Sequence, residues 1–205
     1  MPSSGGIIYY ARSFRGVVSK HKDLLKGFLE AREKALRSRK LGEASESRGV
    51  KVTRIRREGN FHDYLYSVEL DGKRFFVKEI NENKSGRASI LPKIDLADAQ
   101  IKTLQVVKSR LEGVNGVEVA NYHFAWRRGN SSFLVTEFYE GETLLKKYGD
   151  RIPRSIQDKL KEVSALLSGM SDFHEHNIIE TPNGRLVIFD LCPKKELQKR
   201  FAQKG

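Results

Sequence analysis

The chain is expected to adopt an α+β fold: a five-stranded antiparallel sheet with one helix, followed by a smaller part built from a helix and a hairpin. Three observations predict it. Short, partly alternating apolar and polar runs separated by glycine-containing turns occupy residues 50–80 and 117–138, the pattern of antiparallel strands. Helical periodicity appears separately, over residues 97–111 and again over 155–168. A last hairpin signal, Asn183-Gly184, stands between the apolar runs Ile178-Ile179 and Leu186–Phe189.

Bulk properties bound the answer. With 205 residues, 39% hydrophobic and 31% charged, the chain can bury one substantial core or two small ones. The single Cys192 rules out an internal disulfide and a cysteine metal cluster. No secretory signal and no transmembrane segment is evident, so a cytoplasmic protein is expected. The net charge of +12 is concentrated early: residues 1–57 hold 15 Lys and Arg against 5 Asp and Glu. Residues 1–49 therefore read as a basic helical extension and linker, 50–140 as a first lobe and 141–205 as a second.

Taken in order, residues 13–40 show apolar positions at helical spacing: Phe14, Val17, Val18, His21, Leu24, Leu25, Phe28 and Leu29. The basic residues lie mostly on the other faces. Such a helix either packs on the main domain or lies on RNA or another anionic surface. Residues 41–49 read as a linker. Strands are expected over 50–56, 61–70 and 75–80, with turns at Gly59 and at Asp71-Gly72. Asp95 starts a helix whose buried face is Ile101, Leu104, Val107 and Leu111. Two more strands, 117–126 and 132–138, flank a turn at Gly129-Asn130. Pro153 precedes an amphipathic helix bearing Ile156, Leu160, Val163, Leu166 and Leu167.

The stretch 172–190 carries the chemistry. A hairpin at Asn183-Gly184 brings Asn177, before the first strand, toward Asp190, after the second, with Asp172 five residues ahead of Asn177. Two carboxylates and an amide form an all-oxygen set suited to Mg²⁺ with phosphates. The same residues also fit a plain surface hairpin. Asp172, His174 and His176 alternate like Zn²⁺ ligands, but a fourth ligand is not evident, and the histidines suit hydrogen-bonding roles better.

The spacing Asp172, Asn177, Asp190 resembles the catalytic core of the protein-kinase-like superfamily, in which D-x-x-x-x-N precedes a hairpin ending in the Asp of D-F-G. His174 matches the D-L-H-x-x-N form found in lipopolysaccharide core kinases; the small RIO kinases are more distant. The resemblance covers about residues 50–192 and implies a two-lobed kinase-like fold binding ATP and Mg²⁺. It implies that Lys78 contacts the α- and β-phosphates, that Gly59 belongs to the phosphate loop, and that backbone groups of Glu137 and Tyr139 meet the adenine edge. Asn177 and Asp190 would hold the metal. Asp172 would orient the acceptor hydroxyl and take its proton. The acceptor, or a partner protein presenting it, is unknown.

Departures from the pattern qualify the match, among them Met170 where the loop's usual His would stand. The glycine loop is reduced to Gly59. Gln100 stands where a helix Glu would pair with Lys78, and Asp98 is the nearest carboxylate. The D-F-G pattern reads Asp190-Leu191-Cys192, and only fifteen residues follow Asp190, a truncated second lobe. These features fit a pseudokinase or nucleotide-binding regulatory module as the alternative, associated with nucleic acid if the basic helix serves that end.

Overall fold

The computed structural model describes residues 8–10, 18–38, 41–55, 64–81, 96–128, 131–171 and 173–193. Their elements run β1 (Ile8–Tyr10), α1 (Val18–Arg37), β2 (Ala44–Ser47), β3 (Val50–Ile55), β4 (Tyr64–Leu70), β5 (Lys73–Asn81), α2 (Leu96–Arg110), β6 (Val117–Val119), β7 (Tyr122–Arg128) and β8 (Ser131–Glu137). Then come β9 (Glu142–Thr143), α3 (Leu144–Tyr148), α4 (Arg154–Leu166), β10 (Met170–Ser171), a 3-10 turn at Glu175–Asn177, β11 (Ile178–Glu180), β12 (Leu186–Ile188) and β13 (Cys192–Pro193). The class is α+β. Contacts divide the chain into two units, residues 1–92 with 122–138, and residues 93–121 with 139–205.

The first unit is a seven-stranded antiparallel sheet in the order β1-β7-β8-β5-β4-β3-β2, two strands more than expected. One addition, β2, lies in the stretch expected as a linker. It pairs with β3 across Arg48-Gly49, and both turn residues have positive φ, 52° and 73°. That is the hairpin geometry normally signalled by Asn-Gly, and an arginine in the first place hides it. The expected turn at Asp71-Gly72 has the same geometry, with φ of 51° and 71°.

Helix α1 lies on one face of this sheet, against β2 and β3. Phe28 and Ala31 join Val50, Val52, Tyr66, Val68, Val77, Phe133 and Val135 in one buried cluster. Phe28 meets Tyr66 and Phe133 edge to face, with ring centroids 5.5 and 5.7 Å away. Burying one such ring contributes about 1.5–3 kcal/mol. Gly27 permits the approach, since a Cβ there would strike the Val50 side chain and lie 2.8 Å from the Ser47 carbonyl oxygen. The helix is thus part of the unit's core and not an appendage.

Tyr66 is fully buried, and its hydroxyl donates to Glu79 at 2.9 Å. Burial, reinforced by the Glu79 charge, pushes its phenol well above the usual range. A raised acid pKa stabilises the fold while the phenol keeps its proton. That contribution is full below the unfolded value of about 10 and is lost as pH climbs beyond it. Tyr66→Phe is therefore expected to flatten the decline of Tm between about pH 10 and 12. An unchanged slope in thermal melts would refute this role for Tyr66.

The second unit holds a four-stranded sheet in the order β6-β12-β11-β9, in which β6 and β12 run parallel. The single strand expected over 117–126 is therefore two. β6 pairs with β12, Ala120 donates its N–H to Ile188, and β7 crosses to the other sheet. Between Val119 and Tyr122 neither Gly nor Pro marks that change of partner. Helix α2 packs on β6 and β13, burying Leu104 and Val107, with Leu111 buried just past its end. Arg110 donates from its guanidinium to the Ser168 carbonyl at 2.8 Å, just past the end of α4. Among the described residues, no helix is long and apolar enough to cross a membrane.

Candidate functional site

The hairpin β11–β12 forms as expected, with Ile178 opposite Ile188 and Glu180 opposite Leu186. Its closure differs. Only Gly184 has positive φ, so the connection is not a two-residue turn with both central residues left-handed. Thr181 closes a longer loop instead. Its N–H donates to the Arg185 carbonyl at 2.9 Å, and its hydroxyl oxygen accepts from the Arg185 N–H at 3.1 Å. The buried threonine side chain supplies what a tight turn would otherwise enforce by backbone geometry.

At the open end of the hairpin, Asn177 and Asp190 come together. The 3-10 turn places Asn177 as a buried residue, only 4% exposed. Its backbone is held on both sides: the N–H donates to His174 and the carbonyl accepts from Phe189, at 2.9 and 3.0 Å. Its amide Nδ2 donates to the Asp190 carbonyl at 3.4 Å and stands 3.5 Å from His174 Nε2. Asp190 itself has φ of +59°, the left-handed region. A non-glycine residue there carries on the order of 1–3 kcal/mol of backbone strain, and such residues cluster at functional sites. Downstream, β13 pairs with β10, setting Ser171 beside Cys192. His174 and His176 touch edge to face at 5.4 Å. Among the described residues, no group of three or more His, Cys, Asp or Glu is placed to hold a metal ion.

Lys78 belongs to the first unit, on the central strand β5, opposite Leu65 on β4 and Leu134 on β8. It is 5% exposed, so an exposed strand lysine is not what the chain builds. By register it shares its sheet face with Lys51, Thr53, Ser67, Glu69 and Arg74, which line a groove of about 330 Å³. The Arg74 guanidinium lies 3.7 Å from the centre of the Phe138 ring. Glu137 ends β8 opposite Phe75, on the other face, and is exposed. Tyr139 falls in the second unit, where its hydroxyl accepts from the Asn121 N–H at 2.9 Å. Gln100 and Asp98 lie on α2. Gly59 and Asp172 lie outside the described residues.

One constellation escapes sequence reading. Glu79, next to Lys78 but on the α1 face, is 1% exposed. Its carboxylate accepts from Arg32 Nε at 2.7 Å, from Arg32 Nη2, from the Tyr66 hydroxyl and from Ser131 Oγ at 3.2 Å. Burial works against the Arg32 charge, yet the bonds and charge of Glu79 outweigh it and raise the guanidinium's pKa. The available signal was strand alternation, which puts Glu79 opposite in direction to Lys78 and so into the core. Its partner, 47 residues away, has no local signature.

Among the described side chains, the exposed positions of α1 carry both signs: Lys26, Glu30, Glu33, Lys34 and Arg37. Glu30 accepts from Ser47 and pairs with Arg48, which together lower its pKa. Compared with models of known protein families, the chain matches none, and it matches no curated protein.

Proposed function

We propose that the chain is a phosphotransferase of the two-lobed kinase-like kind, cytoplasmic, moving the γ-phosphate of ATP to an acceptor hydroxyl with Mg²⁺. The observation that carries this reading is the pairing of Asn177 with a left-handed Asp190 at the mouth of the hairpin. An amide oxygen and a carboxylate are hard oxygen donors, and Mg²⁺ commonly takes only one or two protein ligands beside water and phosphate. By donor type, these two residues suit the ion. When bound, it supplies positive charge to the phosphate oxygens.

The chain's own residues do the rest of the work in this reading. Lys78, a compact cation on a nearly buried stem, holds the α- and β-phosphates. Lys51 and Arg74 on the same face favour an anionic ligand nearby. Gly59 lets the backbone approach the phosphates, and backbone groups of Glu137 and Tyr139 take the adenine edge. Asp172 orients the hydroxyl and accepts its proton, a role worth about 10²–10⁴-fold in rate. An RNA or anionic-surface partner for residues 13–40 draws less support, because the described exposed positions of α1 carry both signs.

A nucleotide-binding module without transfer is the second reading. It is favoured by the commitment of Glu79 to Arg32, away from the lysine, and by Gln100 in α2. Single-turnover release of γ-labelled phosphate separates the two. The expected result is Mg²⁺-dependent turnover that falls at least about 100-fold in Asp172→Ala while ATP binding persists. Binding without turnover in the wild type selects the module. No ATP binding at all overturns both.

A further inference from the structure

We propose that Arg32 and Glu79 are positioning residues for Lys78, so that helix α1 sets where the lysine amine can reach. The inference deepens the reading of Lys78 as a phosphate-contacting group and rests on it. Consecutive side chains of a strand leave on opposite faces, so whatever fixes Glu79 toward α1 fixes Lys78 toward the other face. Glu79 is fixed from three sides: α1 through Arg32, β4 through Tyr66 and β8 through Ser131. β4 and β8 are also the strands that flank Lys78, through Leu65 and Leu134.

Stability alone does not explain an ion pair here. Around it lie Phe28, Val77 and Phe133, and an apolar residue at position 79 would bury among them. Buried ion pairs replaced together by apolar residues are often no less stable. What the guanidinium adds is direction. Its planar fork meets the carboxylate through Nε and Nη2 at once and tolerates one orientation, where apolar contact tolerates several. The adjacent Cα atoms are about 3.8 Å apart. A tilt at residue 79 is therefore passed to residue 78 almost undiminished. Misplacing a reacting or binding group by about 1 Å can cost on the order of 100-fold in rate.

The test follows Lys78 itself in the full chain. An acyl-phosphate derivative of ATP acylates a lysine that sits at the phosphates, releasing ATP as the leaving group, and mass spectrometry reads the site. Acetic anhydride reads the same amine without nucleotide recognition. The variants are Arg32→Met with Glu79→Leu, and, should that pair fold poorly, the near-isosteric Glu79→Gln and the forkless Arg32→Lys.

The expected result is acyl-phosphate labelling of Lys78 reduced about tenfold or more in the apolar pair, less in Arg32→Lys, with both variants still folded. Wild-type labelling rates in a folded apolar pair would overturn the inference. If the wild type itself is not labelled by the nucleotide probe, the phosphate reading of Lys78 fails. The anhydride rate then decides the coupling. A changed pH profile of Lys78 acetylation in the variants upholds it, and an unchanged one removes it.

Discussion

Glu79→Leu on its own is expected to lower the free energy of unfolding by about 3–5 kcal/mol, a large share of what a domain this size possesses. The change leaves the Arg32 guanidinium, mostly removed from water, with no counter-charge, and strips the Tyr66 hydroxyl of its acceptor. The leucine fits by volume, so the loss is electrostatic and not a cavity effect. Adding Arg32→Met to the same chain should recover most of it, to within about 2 kcal/mol of wild type, since a buried pair and an apolar pair are near equals. Urea titrations followed by circular dichroism measure both. A single variant within about 1 kcal/mol of wild type would mean the pair is wet, against its burial.

Gly141→Ala carries the second large effect. Gly141 has φ of 136°, a conformation L-residues avoid. A Cβ there would run into the Glu180 carbonyl oxygen and lie 2.9 Å from Ile179 Cγ2. Both obstacles belong to β11, which pairs with β9 just after the glycine, Ile179 with Thr143 and Glu180 with Glu142. Backbone strain and overlap together are expected to cost at least about 3 kcal/mol. The β9–β11 pair would open first, freeing Glu180 from Lys147. Hydrogen exchange at residues 142–143 and 178–180 should rise well ahead of exchange in β4 and β5. Equal protection in variant and wild type would show that β11 moves aside at little cost.

Much of the fold was legible in advance, for reasons that differ by element. Helix α2 covers Leu96–Arg110 against an expected 97–111, and α4 covers Arg154–Leu166 against 155–168. Both have apolar stripes at helical spacing and clear starts. The Asp71-Gly72 hairpin was legible because its residues are those the backbone conformation demands. The hairpin β2–β3 was not, since Arg48 adopts the same conformation without a local reason. The split of residues 117–126 depends on Ile188 and its neighbours in β12, far along the chain.

The candidate site divides in the same way. That Asn177 approaches Asp190 follows from a hairpin with short arms, and the pair was foreseeable. The left-handed backbone of Asp190 was not, because nothing around it requires a glycine-like residue. The Glu79 cluster was not read from the sequence: strand alternation sends Glu79 to the face opposite Lys78, but only the packing of α1 reveals Arg32. Helix α1 was itself recognised, and its place in the core was among the readings left open.

The discontinuity of the first unit has a consequence for how the protein is made. Synthesis delivers α1 and β2–β5 first, so Arg32 can meet Glu79 as soon as β5 appears. The other side of β5 waits for β8, and Ser131 lies 52 residues further on. In that interval residues 93–121, which belong to the second unit, must leave the ribosome. A nascent chain or a fragment ending before Tyr122 thus offers the long β5 as a bare edge, a template for unwanted strand addition. The charged cluster at Glu79 sits close to that edge, where an inward-pointing charge discourages a foreign strand until its own partner arrives.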